Sequence, residues 1–196
     1  FRFLRLLRFL LRLLLRARSR ARAFFRTTQL RVGDRVWGDI GANTRARASG
    51  AKTKELGGYA EIAVALDTQL GRMPRNMGFA EAAALPKVAL TSWKALTWYA
   101  GALNATFKGR RVLVLGGSGG TGSTGIQIAR ALGAGEILTT TSAANAAYVE
   151  GLGANRSIDY HAENWWEPSV IPPGSVDVVY DCVGQSGTGD RAMGVL

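Results

Sequence analysis

Residues 112–135 read VLVLGGSGGTGSTGIQIARALGAG and combine three signals in a fixed order. Four apolar residues come first and are followed by glycine, which is typical of a buried parallel strand. A glycine-rich turn comes next. Apolar residues then recur at helical spacing until Gly133, a residue type that favours the position just after a helix. The stretch therefore predicts a strand, a turn and a helix, the opening unit of a doubly wound α/β sheet.

The turn at residues 117–122 fits the pattern G-x-G-x-x-G. Gly117 permits a tight turn, Gly119 lets a pyrophosphate approach the backbone, and Gly122 lets the helix pack closely on the strand. The start of the helix offers free N–H groups and the positive end of the dipole to phosphate. No Gly-Lys-Ser/Thr sequence follows, which excludes a P-loop. The turn predicts a dinucleotide site, and a glycine-rich turn without a ligand is the alternative.

The choice between NADP and NAD depends on residues about 20 positions beyond the turn. An NAD site has an acidic residue there, but this chain has Ser142 and no acid at 137–149. An acid would repel a 2′-phosphate, so its absence favours NADP, with NAD as the alternative. No Lys or Arg occurs at 131–155. Hydrogen bonds to a 2′-phosphate would come from Ser142 and Asn145, and Arg156 could reach the site if the fold allows.

The rest of the chain continues the alternation of strands and helices. Strands are predicted at 136–141, 156–160 and 175–184, with a helix at 142–154. This order predicts a doubly wound parallel sheet.

The residues upstream of the glycine turn show a different pattern. A turn and a strand are predicted at 32–40, a loop at 41–57, a second strand at 57–66, and helices at 79–101 that break at Pro86.

The positive charge of the chain is concentrated in its first 33 residues. The 196 residues carry a net charge of +11, and residues 1–33 hold ten arginines and no acid. The remaining residues are close to neutral, which argues against a nucleic-acid-binding fold. Arginines at 2, 5, 8, 12 and 16 predict a basic amphipathic helix. The segment is interpreted as an organelle transit peptide, as a membrane-surface contact through 1–26, or as an artefactual or disordered extension.

Cysteine and histidine are too scarce for several classes of site. Cys182 and His161 are the one residue of each type in the sequence. They exclude an internal disulfide framework and a zinc site of the usual Cys/His kind. Any Ser-His-Asp or Cys-His hydrolase would have to use His161.

Six stretches in order carry a family resemblance: VGDRVWGDI, GGYAEIAV, FAEAAALPKVALTSWKAL, VLVLGGSGGTGSTGIQIARALGA, IDY and VDVVYDCVG. Together they resemble the medium-chain dehydrogenase/reductases, specifically the zinc-free quinone oxidoreductase and enone (2-alkenal) reductase branch. The resemblance covers roughly residues 30–196. It implies an NADP-dependent enzyme without zinc, with a GroES-like substrate domain before an enoyl-reductase type of Rossmann domain.

The resemblance also implies which residues contact the coenzyme. Thr91 would lie near the nicotinamide, and Gly120 and Thr121 would offer N–H groups to the pyrophosphate. Ser142 and Asn145 would read the 2′-phosphate, where the family's common lysine is absent. Tyr160 would lie against the adenosine. The end of the fourth strand would lie beside the ribose and nicotinamide, with Cys182, Val183 and Gly184. No catalytic residue is assigned.

The resemblance divides the chain into three parts and implies that both ends are truncated. Residues 1–31 form the leader, 32–100 are what remains of the substrate domain with its linking helix, and 101–196 are an incomplete dinucleotide domain. The family's opening strands and its last two sheet strands have no counterpart here.

The sequence therefore predicts hydride transfer from NADPH to a quinone or an α,β-unsaturated carbonyl. The alternative is a non-catalytic fragment or mispredicted product that retains only a dinucleotide half-site. The expected partners are a small carbonyl or quinone substrate, no nucleic acid and, for the full-length family, a second copy in a homodimer. A transit peptide would direct the chain to a mitochondrion or plastid; without one it would be cytoplasmic.

Overall fold

The computed structural model describes residues 30–41, 58–101 and 106–196. The leader helix predicted in the first 29 residues lies outside the described residues, and so does nearly all of the predicted loop at 41–57. The chain forms two compact units that divide between Lys87 and Val88. Among the residues described, no helix is both long and apolar enough to cross a membrane.

The first unit is built around a short antiparallel strand pair. Strands β1 (Val36–Gly38) and β2 (Leu70–Arg72) pair with Val36 opposite Arg72. An ion pair of 3.2 Å between Asp34 and Arg72 joins the two segments beside the strands. Helix α1 (Phe79–Ala83) follows, and the Glu81 carboxylate accepts the N–H of Gly78 at 3.0 Å at its start. The strand predicted within 32–40 is confirmed.

The strand predicted at 57–66 is wrong. Residues 58–66 form bends and extended chain without strand pairing, and the side chains of Tyr59, Ile62 and Val64 are largely exposed. An alternating apolar pattern becomes a strand only where a neighbouring strand pairs with it and a core covers one face. The described strands of this unit, β1 and β2, pair with each other and not with residues 58–66. The segment therefore has no partner strand among the described residues, and its exposed apolar side chains show that no core covers it.

A second helix spans the boundary between the units. Helix α2 (Pro86–Lys94) begins at Pro86, and a π-helical turn continues it over Ala95–Tyr99. Proline is well suited to the first helical position because its missing N–H has no intrahelical partner there. The break predicted at Pro86 is confirmed, since α1 ends at Ala83.

The second unit is a parallel sheet of four strands, which confirms the predicted fold class. Along the chain come β3 (Arg111–Leu115), β4 (Glu136–Thr141), β5 (Arg156–Asp159) and β6 (Val178–Asp181), and the order across the sheet is β5-β4-β3-β6. All three neighbouring pairs are parallel. The strand order reverses at β3, between β4 and β6. Ligands of such sheets bind at this switch point, outside the carboxyl ends of the strands.

Three helices and the loop between β5 and β6 cover the two faces of this sheet. The helices are α3 (Gly120–Ala131), α4 (Ala146–Gly151) and α5 (Thr188–Val195). Alternate residues of β3 enter different cores. Val112 and Val114 belong to the cluster with Ile126 of α3, whereas Leu113 and Leu115 belong to the cluster with Trp165 and Val195. A strand buried on both faces explains the unbroken apolar run at 112–115.

Glycine ends helix α3 as predicted. Gly133 has a φ of +86°, and its N–H donates to the Arg130 carbonyl at 3.1 Å. This left-handed residue turns the chain so that β4 can begin beside β3.

Candidate functional site

The glycine turn lies at the switch point, directly after β3. Gly116 has a φ of +75°, so this residue makes the tight turn that was assigned to Gly117. Gly117 is needed for another reason, since a Cβ there would overlap the Thr139 hydroxyl on β4. A Cβ on Gly122 would overlap the carbonyl oxygen of Gly116. The close packing of helix on strand predicted at Gly122 is therefore present.

Helix α3 presents its amino end at this turn. The residue that precedes it, Gly119, makes no side-chain cap, so the first N–H groups of the helix, at Gly120, Thr121 and Gly122, have no intrahelical acceptor. A Cβ built on Gly119 meets no atom closer than 3.4 Å, which leaves the approach to the turn open. These N–H groups and the helix dipole suit an anion.

A network of hydroxyl groups lies between α2, the start of α3 and β6, next to the glycine turn. The Tyr180 hydroxyl donates to Ser92 Oγ at 3.1 Å, and the Ser92 hydroxyl donates to the Thr121 carbonyl at 2.8 Å. The Thr124 hydroxyl lies 2.9 Å from Ser92 Oγ and 3.0 Å from the Gly120 carbonyl. Burial raises the pKa of Tyr180 to about 12, so the phenol remains a donor at neutral pH. The network joins α2, the first turn of α3 and the end of β6.

The sequence did not predict this network. Its members are hydroxyl residues inside apolar helices and strands, and their spacing along the chain says nothing about their meeting. One signal was available, because Ser92 follows Thr91, the residue that the family resemblance assigns to the nicotinamide. Thr91 itself is exposed on α2.

The chain folds back after β6 and returns to the turn. The Asp181 carboxylate accepts the N–H groups of Val183 at 2.8 Å and Gly184 at 3.0 Å. Val183 lies against Gly116, where an added Cβ would come within 2.9 Å of its side chain. Burial raises the pKa of the Cys182 thiol, so this cysteine is poorly suited to act as a nucleophile.

The carboxyl ends of the four strands form one edge of the sheet, the carboxyl edge. The glycine turn and the end of β6 lie on one side of it, and the ends of β4 and β5 form the other side. Asn145 Nδ2 donates to the Ser142 hydroxyl at 3.2 Å, so these two candidate residues lie together. The Tyr160 N–H donates to the Thr141 carbonyl at 3.3 Å, and the Tyr160 ring is exposed beside His161. The Thr141 hydroxyl is buried and has no hydrogen-bond partner among the described residues.

Arg156 does not reach this edge. It begins β5, at the opposite end of the strand, where its guanidinium pairs with Glu163 at 3.4 Å and donates to the Val170 carbonyl at 3.0 Å. The suggestion that Arg156 reads a 2′-phosphate is therefore wrong.

Within the three described ranges, no group of three or more His, Cys, Asp and Glu side chains could hold a metal ion.

Comparisons with known proteins agree with this architecture. Residues 120–196 match the family described as zinc-binding dehydrogenase. The chain is 38% identical over 169 residues to a 2-methylene-furan-3-one reductase of Solanum lycopersicum, covering 85% of this chain and 39% of the relative. It is 34% identical, with the same coverage, to an Arabidopsis thaliana protein named NADPH-dependent alkenal/one oxidoreductase, chloroplastic.

A solved structure shows the same fold over nearly the whole chain. The quinone oxidoreductase of Coxiella burnetii superposes with a TM-score of 0.68 at 29% identity, covering 87% of this chain and 47% of that protein. The chain thus spans less than half the length of the relatives it matches. From the ordered motifs, the switch-point glycine turn and these likenesses, we conclude that the chain belongs to the medium-chain dehydrogenase/reductase superfamily.

Proposed function

We propose that this chain carries the coenzyme-binding part of an NADPH-dependent oxidoreductase that reduces a quinone or an α,β-unsaturated carbonyl. The observation that carries the proposal is the open glycine turn at the switch point, with the uncapped start of α3 facing it. The substrate class comes from the names of the relatives, which are a furanone reductase, an alkenal/one oxidoreductase and a quinone oxidoreductase. The non-catalytic fragment remains the alternative outcome.

The residues present fit a dinucleotide. The turn leaves no room for a Cβ at Gly117 or Gly122, yet it is open above Gly119, as a closely approaching pyrophosphate requires. When bound, a reduced nicotinamide supplies the hydride for such a reduction.

The side chains of this chain divide the work of holding the coenzyme. The N–H groups of Gly120 and Thr121 hold the pyrophosphate, and Ser142 and Asn145 hold the 2′-phosphate by hydrogen bonds. Tyr160 covers the adenosine. Thr91 from α2 and the segment Cys182, Val183 and Gly184 line the nicotinamide side. The hydroxyl network keeps α2, α3 and β6 at fixed positions around it.

Several finer properties belong to the same proposal. No zinc is held by this chain, since it has one cysteine and one histidine. NADP is preferred over NAD. The Arg-rich leader directs the protein to a plastid or mitochondrion, as the name of the chloroplastic relative supports. Residues 1–26 are proposed to contact a membrane surface. The full-length protein is proposed to form a homodimer.

Gly119→Ala tests the site. Its φ of −72° and ψ of 167° suit alanine, so the variant should fold, but its methyl group would stand where the pyrophosphate approaches. In the unsubstituted chain, NADP⁺ at about 100 times Kd should add about 2.7 kcal/mol to the free energy of unfolding and raise Tm. Gly119→Ala should weaken NADP⁺ binding by about tenfold or more, a loss of about 1.4 kcal/mol.

Gly189→Ala is the matched control, because a Cβ there meets no atom within 4 Å. Its NADP⁺ affinity should equal that of the unsubstituted chain. Absence of any Tm shift with NADP⁺ or NAD⁺ would refute the proposal. Binding without reduction of a quinone or enone would support the fragment alternative.

A further inference from the structure

His161 leaves the sheet beside the residues proposed to hold the 2′-phosphate. Thr141 of β4 stands opposite Asp159 of β5 in the parallel register. The next residue on each strand is therefore Ser142 on one side and Tyr160 on the other, and the Tyr160 N–H is bonded to the Thr141 carbonyl. His161 follows directly, exposed, with its ring 4.3 Å from that of Tyr160.

The lysines and arginines that the structure describes in the second unit either contact other side chains or lie away from the ends of β4 and β5. Arg156 pairs with Glu163, and Arg111 pairs with Glu136, both at the amino ends of their strands. Lys94 lies over the rings of Trp98 and Tyr99, and Arg191 lies over that of Trp166. The remaining three precede β3 or lie near the end of α3: Lys108, Arg110 and Arg130.

The groups around His161 define its electrostatic surroundings. The Asp159 carboxylate accepts the backbone N–H of His161 at 3.1 Å. Glu163 lies two residues further on, with its charge directed to Arg156. Ser142 and Asn145, at the end of β4, are neutral. A neutral imidazole would leave the nearby Asp159 carboxylate uncompensated, whereas an imidazolium would offset its charge.

We propose that His161, when protonated, is the cation that binds the 2′-phosphate of the coenzyme and makes the preference for NADP over NAD dependent on pH. This inference rests on the proposed function, because it concerns the same coenzyme site. The proposal stands on the register that places Ser142, Tyr160 and His161 at one strand end and on the placement of the other described cations of this unit elsewhere. The site would favour NADP more strongly in slightly acidic than in alkaline surroundings.

The test is calorimetric titration of the full chain with NADP⁺ and NAD⁺ at pH 6.5, 7.5 and 8.5. A phosphate monoester is largely dianionic above about pH 6.5, so its own titration contributes little over this range. Histidine is the side chain type whose charge ordinarily changes between about pH 5 and 8. For an exposed ion pair, the Kd for NADP⁺ should rise about two- to threefold from pH 6.5 to 8.5. The Kd for NAD⁺ should not change.

Two variants separate the charge of His161 from its shape. His161→Asn should bind NADP⁺ at all three pH values with the weak affinity that the unsubstituted chain shows at pH 8.5. His161→Lys, charged throughout, should bind NADP⁺ with an affinity that does not fall between pH 6.5 and 8.5. A pH-independent NADP⁺ affinity in the unsubstituted chain would overturn the inference and leave the proposed function standing. Failure to bind either coenzyme at any pH would overturn both.

Discussion

The two sides of the carboxyl edge of the parallel sheet are built differently. On the side of β3 and β6, Ser92, Thr124 and Tyr180 form a hydroxyl network around the first turn of α3, and its serine and threonine are buried. On the side of β4 and β5, Ser142 and Asn145 are half-buried and share one hydrogen bond. Tyr160 and His161 are exposed there.

The difference in burial between the two sides matches the part of the coenzyme that each side is proposed to bind. NAD and NADP share the pyrophosphate, so the turn that would receive it can be rigid for either coenzyme. They differ at the 2′ position, where exposed side chains can be exchanged at little cost to stability. Substitutions on the first side should therefore change folding and binding together, whereas those on the second should change coenzyme preference alone.

The largest expected effect is that of Gly122→Ala in α3. The new Cβ would overlap the carbonyl oxygen of Gly116, and its other nearest atoms are also backbone, of Gly116 and Gly117, which cannot move aside as the end of a flexible side chain could. The free energy of unfolding should fall by about 3 kcal/mol, the upper end for overpacking. Denaturant unfolding followed by circular dichroism measures it. Gly151→Ala in α4 is the control, since a Cβ there has open space, and an equal loss in both variants would contradict the proposed packing.

Ser92→Ala should have the next largest effect. It removes the acceptor of the Tyr180 hydroxyl and the donor to the Thr121 carbonyl, and leaves buried groups unpaired. The free energy of unfolding should fall by about 1–3 kcal/mol. NADP⁺ affinity should fall as well, because the Thr121 carbonyl in the first turn of α3 loses the hydrogen bond that Ser92 of α2 donates.

Thr97→Val provides the comparison for this network. The buried Thr97 hydroxyl donates to the Trp93 carbonyl at 2.7 Å within one helical segment, and its described side-chain bond does not reach α3. Its removal should cost about 1 kcal/mol of stability and leave the NADP⁺ dissociation constant unchanged. The dissociation constants should be measured at a temperature where both variants are fully folded. If Ser92→Ala then left the NADP⁺ dissociation constant unchanged, the network would have no role in positioning the turn.

The same two sides show what sequence could and could not predict. The run at 112–115, the glycine spacing and Gly133 each act on residues close in the chain, and the structure confirms the strand, turn and helix. The Tyr180–Ser92 bond joins residues 88 positions apart, and no local pattern encodes it. Residues 57–66 have the alternation of a strand, but pairing depends on distant residues. Gly116 was missed because the turn required a left-handed φ one residue earlier than the motif indicated.

The smallest expected effect on stability is that of Asn145→Ala on the open side. Asn145 precedes α4 without a side-chain cap, and its one described side-chain bond is to Ser142. The free energy of unfolding should change by no more than about 0.5 kcal/mol. NADP⁺ affinity should nevertheless fall about 1.4- to fivefold while NAD⁺ affinity stays constant, because losing one polar contact to an exposed phosphate costs about 0.2–1 kcal/mol. Parallel titrations with both coenzymes measure this selectivity, and an equal loss for NAD⁺ would show that Asn145 supports the fold of the edge and does not read the phosphate.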